Sequence, residues 1–467
     1  MNLPVATGRV LATLNEDGSR RWIRPKPATG KWLVRRRVLA YGLMLLYLAI
    51  PHLQWNGKPW MLLDLPRREF TFFGTTFLPT DTLLLMLLFV SCLVGIFLLT
   101  ALFGRVWCGW ACPQTLWMEF LFRPIERLVE GGHNASRVLD RDGRHFAPRR
   151  LVKYGIYAVL AVILGNTFLA YFVGVETLSE WVLRSPLEHP TPFLVMGVTS
   201  LGVFLDFAWF REQTCLVACP YGRWQSALLD RQSLIVTYDP NRGEPRGRGK
   251  GERPGLGDCI ECNACVLTCP TGIDIRDGLQ MECVHCTQCI DACDDIMMKV
   301  GKPTGLIRYS SKDALEGNPP RMLRARTVLY PVAFVLFFGG FLLALTNRLP
   351  ADITLLGPIG APFTIQADGR VVNQVRMVIV NRLDTEQLFT IAYLDEPGAE
   401  LIAPENPVRV QPGESVATSV FVLQNAARFH DGERGIRFRL TSGEGFTREY
   451  PWRLPGPVKN EPSLREQ

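Results

Sequence analysis

Apolar residues gather in five long runs, and the last quarter of the chain changes to alternation with a period of two. The runs cover about Val38–Gln54, Leu83–Phe103, Leu151–Val173, Pro192–Phe210 and Val328–Leu345. Each is of a length to approach or cross the ~30 Å of bilayer hydrocarbon as a helix. The first is short and fits an interfacial position as well as a span. A soluble core helix can imitate one such run, but not five. Past about Asn347 the pattern differs. Met377 and Ile379 alternate with their neighbours in VRMVIVN, and Ile436, Phe438 and Leu440 alternate with Arg437, Arg439 and Thr441. Turn clusters APENP, QPGES and DGERG separate these stretches, so antiparallel strands in a small β-sandwich are expected. The tail has no cysteine, so no disulfide supports it.

A chain of 467 residues has room for about three domains. Mean hydropathy is only +0.10, as expected of membrane runs mixed with polar segments. The net charge of +7 is concentrated beside the apolar runs, at Arg35–Arg37, Arg149–Arg150 and Arg321–Arg326. That is membrane-flanking charge. No basic stripe interleaved with aromatics occurs, so nucleic acid is not an expected partner. The first run follows a long polar arm and no small-residue cleavage site follows it, which favours a retained helix over a secretory signal. Lys and Arg crowd the arm before the first run, residues 105–150 and residues 211–326. The positive-inside rule puts those segments in the cytoplasm and the tail in the periplasm.

Between Asp258 and Asp294 the sequence reads DCIECNACVLTCPTGIDIRDGLQMECVHCTQCIDACD. Cys259, Cys262, Cys265 and Cys269 form C-x-x-C-x-x-C-x-x-x-C-P, and Cys283, Cys286, Cys289 and Cys293 repeat the spacing. In the bacterial two-cluster ferredoxin run the fourth cysteine of each set serves the other cluster. One [4Fe–4S] cluster then takes Cys259, Cys262, Cys265 and Cys293, and the other Cys283, Cys286, Cys289 and Cys269. Thiolates suit iron in both oxidation states. Zinc ribbons use paired C-x-x-C units without the two triplets, and a disulfide framework does not suit a reducing compartment. Asp294 stands where the run usually has proline. The Gly, Arg and Pro stretch NRGEPRGRGKGERPGLGD before the cassette reads as a flexible connector, with headgroup contact as the alternative.

Two further motifs follow the second and fourth runs: Cys108 and Cys112 in WCGWACPQTLW, and Cys215 and Cys219 in CLVACPYGRWQ. On a helix, positions i and i+4 share a face, and the next proline kinks or ends that helix. The four sulfurs are expected to converge at one membrane face, where they suit Cu(I), a dithiol–disulfide cycle or a further cofactor. Cys92, in mid-span, reads as packing. Asp206 near a span end is a functional or a snorkelling group. His52 is alone near an outer end, which argues against a bis-histidine haem. His285, between two cluster cysteines, reads as surface filler before a tuning group. No G-x-G-x-x-G follows a strand pattern, so no nicotinamide or flavin domain is expected.

These motifs, with RVWCGWACPQTLWMEF, FREQTCLVACPYGRWQSALLDRQSLIVTYDPNRGEPRG and IMMKVGKPTGLIRYSS, resemble the FixG/CcoG/RdxA family of accessory proteins for cbb-type cytochrome oxidase assembly. The resemblance implies a multi-pass protein of the bacterial inner membrane. Its expected parts are an arm (1–37), four spans with both C-x-x-x-C-P motifs (38–238), a flexible linker (239–257) and a two-cluster ferredoxin domain (258–300). A connector with the fifth span (301–346) and a periplasmic immunoglobulin-like domain (347–467) complete it. It further implies reduction of Cu(II) to Cu(I), with a cytoplasmic or quinol donor, and the residues allow that step to take place at Cys108, Cys112, Cys215 and Cys219. Copper transport and oxidase assembly factors are the implied partners, with a homodimer one candidate assembly. Two other readings stay open: a quinol-dehydrogenase-like respiratory subunit and a non-enzymatic assembly scaffold.

Overall fold

A computed structural model describes residues 9–458, apart from 16, 18, 56, 144–146, 249–253, 320–323, 384, 395–398 and 444. The chain divides into two compact units, residues 1–75 with 83–341, and residues 76–82 with 342–467.

The first unit is organised by helices α1 (Lys31–Ala49), α2 (Thr82–Phe103), α3 (Pro148–Val173), α4 (Pro190–Leu205) and α5 (Ala325–Thr346). Four helices among the described residues are long and apolar enough to cross a membrane: α2, α3, α5, and α4 extended to Phe210. The first expected run forms α1, whose helix starts seven residues early, at Lys31, and takes in Arg35, Arg36 and Arg37, so it falls outside that set by composition alone. Its later part packs along α3. Ala40 and Met44 share a buried cluster with Tyr157 and Leu164, and the Tyr171 hydroxyl donates to the Tyr47 carbonyl at 2.7 Å. Helices α3 and α4 meet where a Cβ on Gly165 would stand 2.6 Å from Ser200 Oγ, the close approach that small residues permit between apolar helices. Cys92 is exposed on α2 rather than packed.

The cassette belongs to this same unit and does not hang from it. An antiparallel ladder of Ile235–Tyr238 with Ile307–Ser310 brackets it. Between these strands lie helices Ala264–Thr268 and Gln288–Lys299 over Ile273, Ile275, Ile290 and Met297. The expected flexible linker is also corrected over its described part. Arg242 pairs with Asp258 and donates to the Thr304 carbonyl at 2.9 Å, and the Gly257 N–H donates to Pro245 at 2.9 Å. Residues 249–253 of that stretch lie outside the described residues.

The second unit is a sandwich of strands β1 (Ala351–Leu356), β2 (Thr364–Ile365), β3 (Arg370–Asn381), β4 (Gln387–Tyr393), β5 (Glu400–Ile402), β6 (Val408–Val410), β7 (Ser415–Asn425), β8 (Glu433–Ser442) and β9 (Thr447–Pro455). One sheet runs β1-β3-β7-β5 with β2 on β3, and the other β6-β4-β8-β9. The alternation seen in the sequence is the burial pattern. Val375, Met377 and Ile379 of β3 and Phe438 and Leu440 of β8 are fully buried between the sheets. Phe438→Ala should therefore cost about 3–5 kcal/mol, while Arg437→Ala on the outer face should stay within about 0.5 kcal/mol. Calorimetry of the full chain, following the transition of this unit, checks both.

Candidate redox site

The two cysteine triplets fold alike. Glu261 and Asn263 flank Cys262 with φ of 58° and 58°, and His285 and Thr287 flank Cys286 with φ of 53° and 64°. Left-handed residues on either side of the middle cysteine curl each triplet about a centre. The fourth cysteines cross over. Cys269 lies in the electrostatic field of Cys283, Cys286 and Cys289, and Cys293 in that of Cys259, Cys262 and Cys265. A cavity is lined by Cys269, Cys283, Cys286 and Cys289, together with Cys265. None of them is joined in a disulfide. Burial pushes the Cys265, Cys283 and Cys293 thiols up to about 12, so ligation releases protons. Asp294, the proline replacement, accepts from the Gly305 N–H at 2.8 Å.

The two C-x-x-x-C-P motifs also share one geometry, but it is not the continuous helix expected. Cys108 lies within the short helix Val106–Trp110, and Cys215 within the π-helical turn Thr214–Ala218. Cys112 and Cys219 are extended, with ψ of 123° and 108°, and serve as N-caps of the next helices. The cause is the following proline, which excludes helical backbone at the residue before it and favours the first position of a new helix. Each motif closes with an N–H bonded five residues back, Cys112 to Trp107 and Cys219 to Thr214, both at 2.8 Å. All four thiols lie within one another's field. Burial raises Cys108 and Cys112 and pushes Cys215 up to about 12. Cys108 donates to Gln225 Oε1 at 3.0 Å, and Gln225 donates to Tyr221 and Thr100. Asp206 braces both motifs, accepting from Gln114 at 3.1 Å and from the Thr214 hydroxyl. Among the described residues no three Cys, His, Asp or Glu side chains form a group that could hold one metal ion.

The cassette sits directly on the first motif. A Cβ on Gly109 would stand 2.5 Å from the Val284 carbonyl oxygen and 2.9 Å from that of His285. Cys108 packs with Val284 and Cys286. Arg105 donates its N–H to His285 Nδ1 at 3.1 Å and its guanidinium to Ser226 and the Met281 carbonyl. His285 is therefore not surface filler: it is 1% exposed, and burial, with the Arg105 charge behind it, pushes it down to about 3. The neutral ring keeps its proton on Nε2. That Nε2, and both terminal nitrogens of Arg36, are buried with no hydrogen-bond partner among the described residues. Buried donors of this kind fit an anionic group held between the cysteines.

A buried ionic lattice fixes these segments. Arg211 grips Glu126 with two bonds of 3.0 Å, and Arg24 and Lys153 join the same carboxylate. Arg123 pairs with Glu119 and Glu212 and donates to the Pro270 carbonyl at 3.1 Å, while Gln288 donates to Glu119 at 3.0 Å. Sequence reading missed Arg36, Arg105, Gly109 and this lattice. One signal was available, since Arg36 shares a helix face with the buried Ala40 and Met44.

Two outcomes follow from this geometry. Gly109→Ala should cost about 1–3 kcal/mol by overpacking and lower iron retention, whereas Gly155→Ala, which meets nothing within 4 Å, should not. Iron assay and thermal melting of the two variants check this. Burial would raise Glu126, but Arg211, Arg24 and Lys153 hold it well below the ordinary value of 4.5. Its contribution is thus complete above about pH 4.5 and is lost as pH falls through its lower folded value. Glu126→Gln should cost roughly 3–5 kcal/mol at pH 7 by stranding three cations and should flatten the acid limb of a stability–pH profile.

Family models agree with the parts described. One for a 4Fe-4S dicluster domain matches residues 210–312, which include Cys215, Cys219 and the cassette. One for a 4Fe-4S binding domain matches residues 85–130, which include Cys108 and Cys112. One for the IG-like fold at the C-terminal of FixG matches residues 341–457. Protein RdxA of Cereibacter sphaeroides is 37% identical, over 78% of this chain and 79% of its own. Nitrogen fixation protein FixG of Rhizobium meliloti is 32% identical, over 92% and 91%. Protein RdxB of Cereibacter sphaeroides is 34% identical, over 85% and 88%. The chain belongs to the FixG family and is an iron–sulfur electron-transfer protein with helices of the membrane-spanning kind.

Proposed function

We propose that this chain is a membrane cupric reductase that supplies Cu(I) for assembly of a cbb-type cytochrome oxidase. The observation that carries the reading is the packing of Cys108 against Cys286, which sets a thiol of the membrane-edge group beside a thiol of the cassette. Cys259, Cys262, Cys265 and Cys293 would hold one [4Fe–4S] group, and Cys283, Cys286, Cys289 and Cys269 the other. When bound, such groups store and pass single electrons at potentials set by their surroundings. Cys262 is exposed while Cys283 and Cys286 are buried, so the first quartet offers an edge to a soluble one-electron donor and the second faces the membrane-edge thiols. There Cu(II) takes one electron and becomes Cu(I), the state that soft thiolates favour. Cys108, Cys112, Cys215 and Cys219 thus stabilise the product. The arm, the cassette and both cysteine motifs face the cytoplasm on this reading, and the β-sandwich faces the periplasm, where copper carriers and oxidase assembly factors would meet it.

A second reading has its own support: the four membrane-edge thiols hold an iron–sulfur group themselves. The 4Fe-4S binding model over residues 85–130 favours it. Copper would then be reduced by a relay rather than bound by these cysteines.

Anaerobically purified protein, chemically reduced and freed of reductant, is mixed with Cu(II) and a Cu(I)-specific chromogenic chelator. Cu(I) should appear in step with reoxidation of the iron–sulfur absorbance. Changing all four of Cys108, Cys112, Cys215 and Cys219 to Ser should slow it by about tenfold or more, the scale of losing a metal-site contact. About eight irons per chain in both proteins supports copper at the thiols. About twelve, falling to about eight in the variant, supports the second reading. Reducible protein that ignores Cu(II) sinks the reductase.

A further inference from the structure

Arg36 sits near the start of α1 and is 0% exposed. Its Nε donates to the carbonyl of Gly109, inside the first cysteine motif. Its guanidinium carbon stands 5.1 Å over the Phe120 ring. Nη1 and Nη2 have no hydrogen-bond partner among the described residues. The ionisable groups in its field that could carry negative charge are Cys286 and Tyr309, with no carboxylate among them. Arg24, Arg123 and Arg211 are similarly buried, but each meets Glu126, Glu119 or Glu212. A guanidinium stays protonated in any protein setting, and a buried charge without a counter-charge is costly. Something anionic is needed beside Arg36, and the thiol in its field is that of a cassette cysteine, Cys286.

We propose that Arg36 is the counter-charge of the iron–sulfur group held by Cys269, Cys283, Cys286 and Cys289, and that its fixed positive charge raises that group's reduction potential. The inference rests on reading those four cysteines as one ligand set. A four-iron group with four thiolates is an anion in both its states and gains one further negative charge when it takes an electron. A cation held nearby therefore stabilises the reduced form more than the oxidised one. N–H donors aimed at the sulfurs act in the same direction. Arg36 touches no substrate; it is a positioning residue that acts through the group it balances. Its bond to Gly109 also holds the charge at the seam between the two cysteine sites.

The test is an EPR-monitored redox titration of the full-length protein with the Arg36→Gln, Arg36→Lys and Cys286→Ser variants, each assayed for iron and sulfide. At a fixed potential, Arg36→Gln should lower the reduced-to-oxidised ratio of one iron–sulfur signal by about tenfold or more, which is about 59 mV for a one-electron couple. The other signal should stay put. Arg36→Lys, which keeps the charge, should stay close to wild type. If Arg36→Gln retains its iron and its wild-type potential, the proposal is overturned. Should Gln empty the site, Lys decides. Retention at the wild-type potential supports a counter-charge, and loss in both variants overturns it in favour of the bond to Gly109. Cys286→Ser separates the premise from the inference. If it leaves both signals intact, the ligand reading fails. If it removes one signal while Arg36→Gln moves neither, only the role of Arg36 falls.

Discussion

The contact on which the redox half of the molecule depends is one of backbone on backbone. The Val284 carbonyl occupies the space a side chain at position 109 would need, so the cassette can lie on the first cysteine motif only because residue 109 is glycine. Everything nearby is arranged around that approach. Arg105 reaches across it to the Met281 carbonyl, and its own N–H fixes the ring of His285. Trp110 donates to the Tyr309 hydroxyl at 3.2 Å, which closes the seam from the far side. Close approach shortens the gap between two thiol-bearing segments and also keeps water out of it. In such a low-dielectric seam each fixed charge acts strongly.

The ionic lattice has a different task. Buried ion pairs seldom add net stability compared with apolar residues of the same shape, but they are costly to satisfy in any other arrangement. Glu126 can meet Arg211, Arg24 and Lys153 only when the segment leading into the second motif, the N-terminal arm and α3 all converge on the helix Arg123–Glu130. The lattice thus selects one packing of segments that are far apart in sequence. Arg123 extends that selection to the cassette through the Pro270 carbonyl, next to the crossing cysteine, Cys269.

Features set by short-range spacing were legible in the sequence. The cassette announces itself through cysteine intervals that few other structures need, and the β-sandwich through alternation that becomes the burial pattern of Val375, Met377 and Ile379. What failed to show was partnership across long separations. The charge of Arg36 matched a membrane flank because hydropathy does not record which face of α1 it occupies. His285 looked dispensable because its partner lies 180 residues away. The connector before the cassette has the composition of a free chain, yet Arg242 binds it to Asp258 and Thr304. The break in each cysteine motif, by contrast, was within reach. The effect of proline on the residue before it is local, and it places Cys112 and Cys219 at the head of new helices rather than at the tail of old ones.

The start of α1 shows what such distance means for the growing chain. The amides of Trp32 and Leu33 donate to Asp291 at 3.2 and 2.7 Å, and the carboxylate fills the space where a Cβ on Gly30 would be. The cap on the first helix is therefore supplied by a residue 259 positions later. At roughly 5–20 residues per second of synthesis, that helix waits on the order of 10–50 s for its cap. During that interval its amides and the Arg36 charge must be satisfied by water, lipid or a bound helper. The first helix can therefore take its final cap only after the cassette has been made.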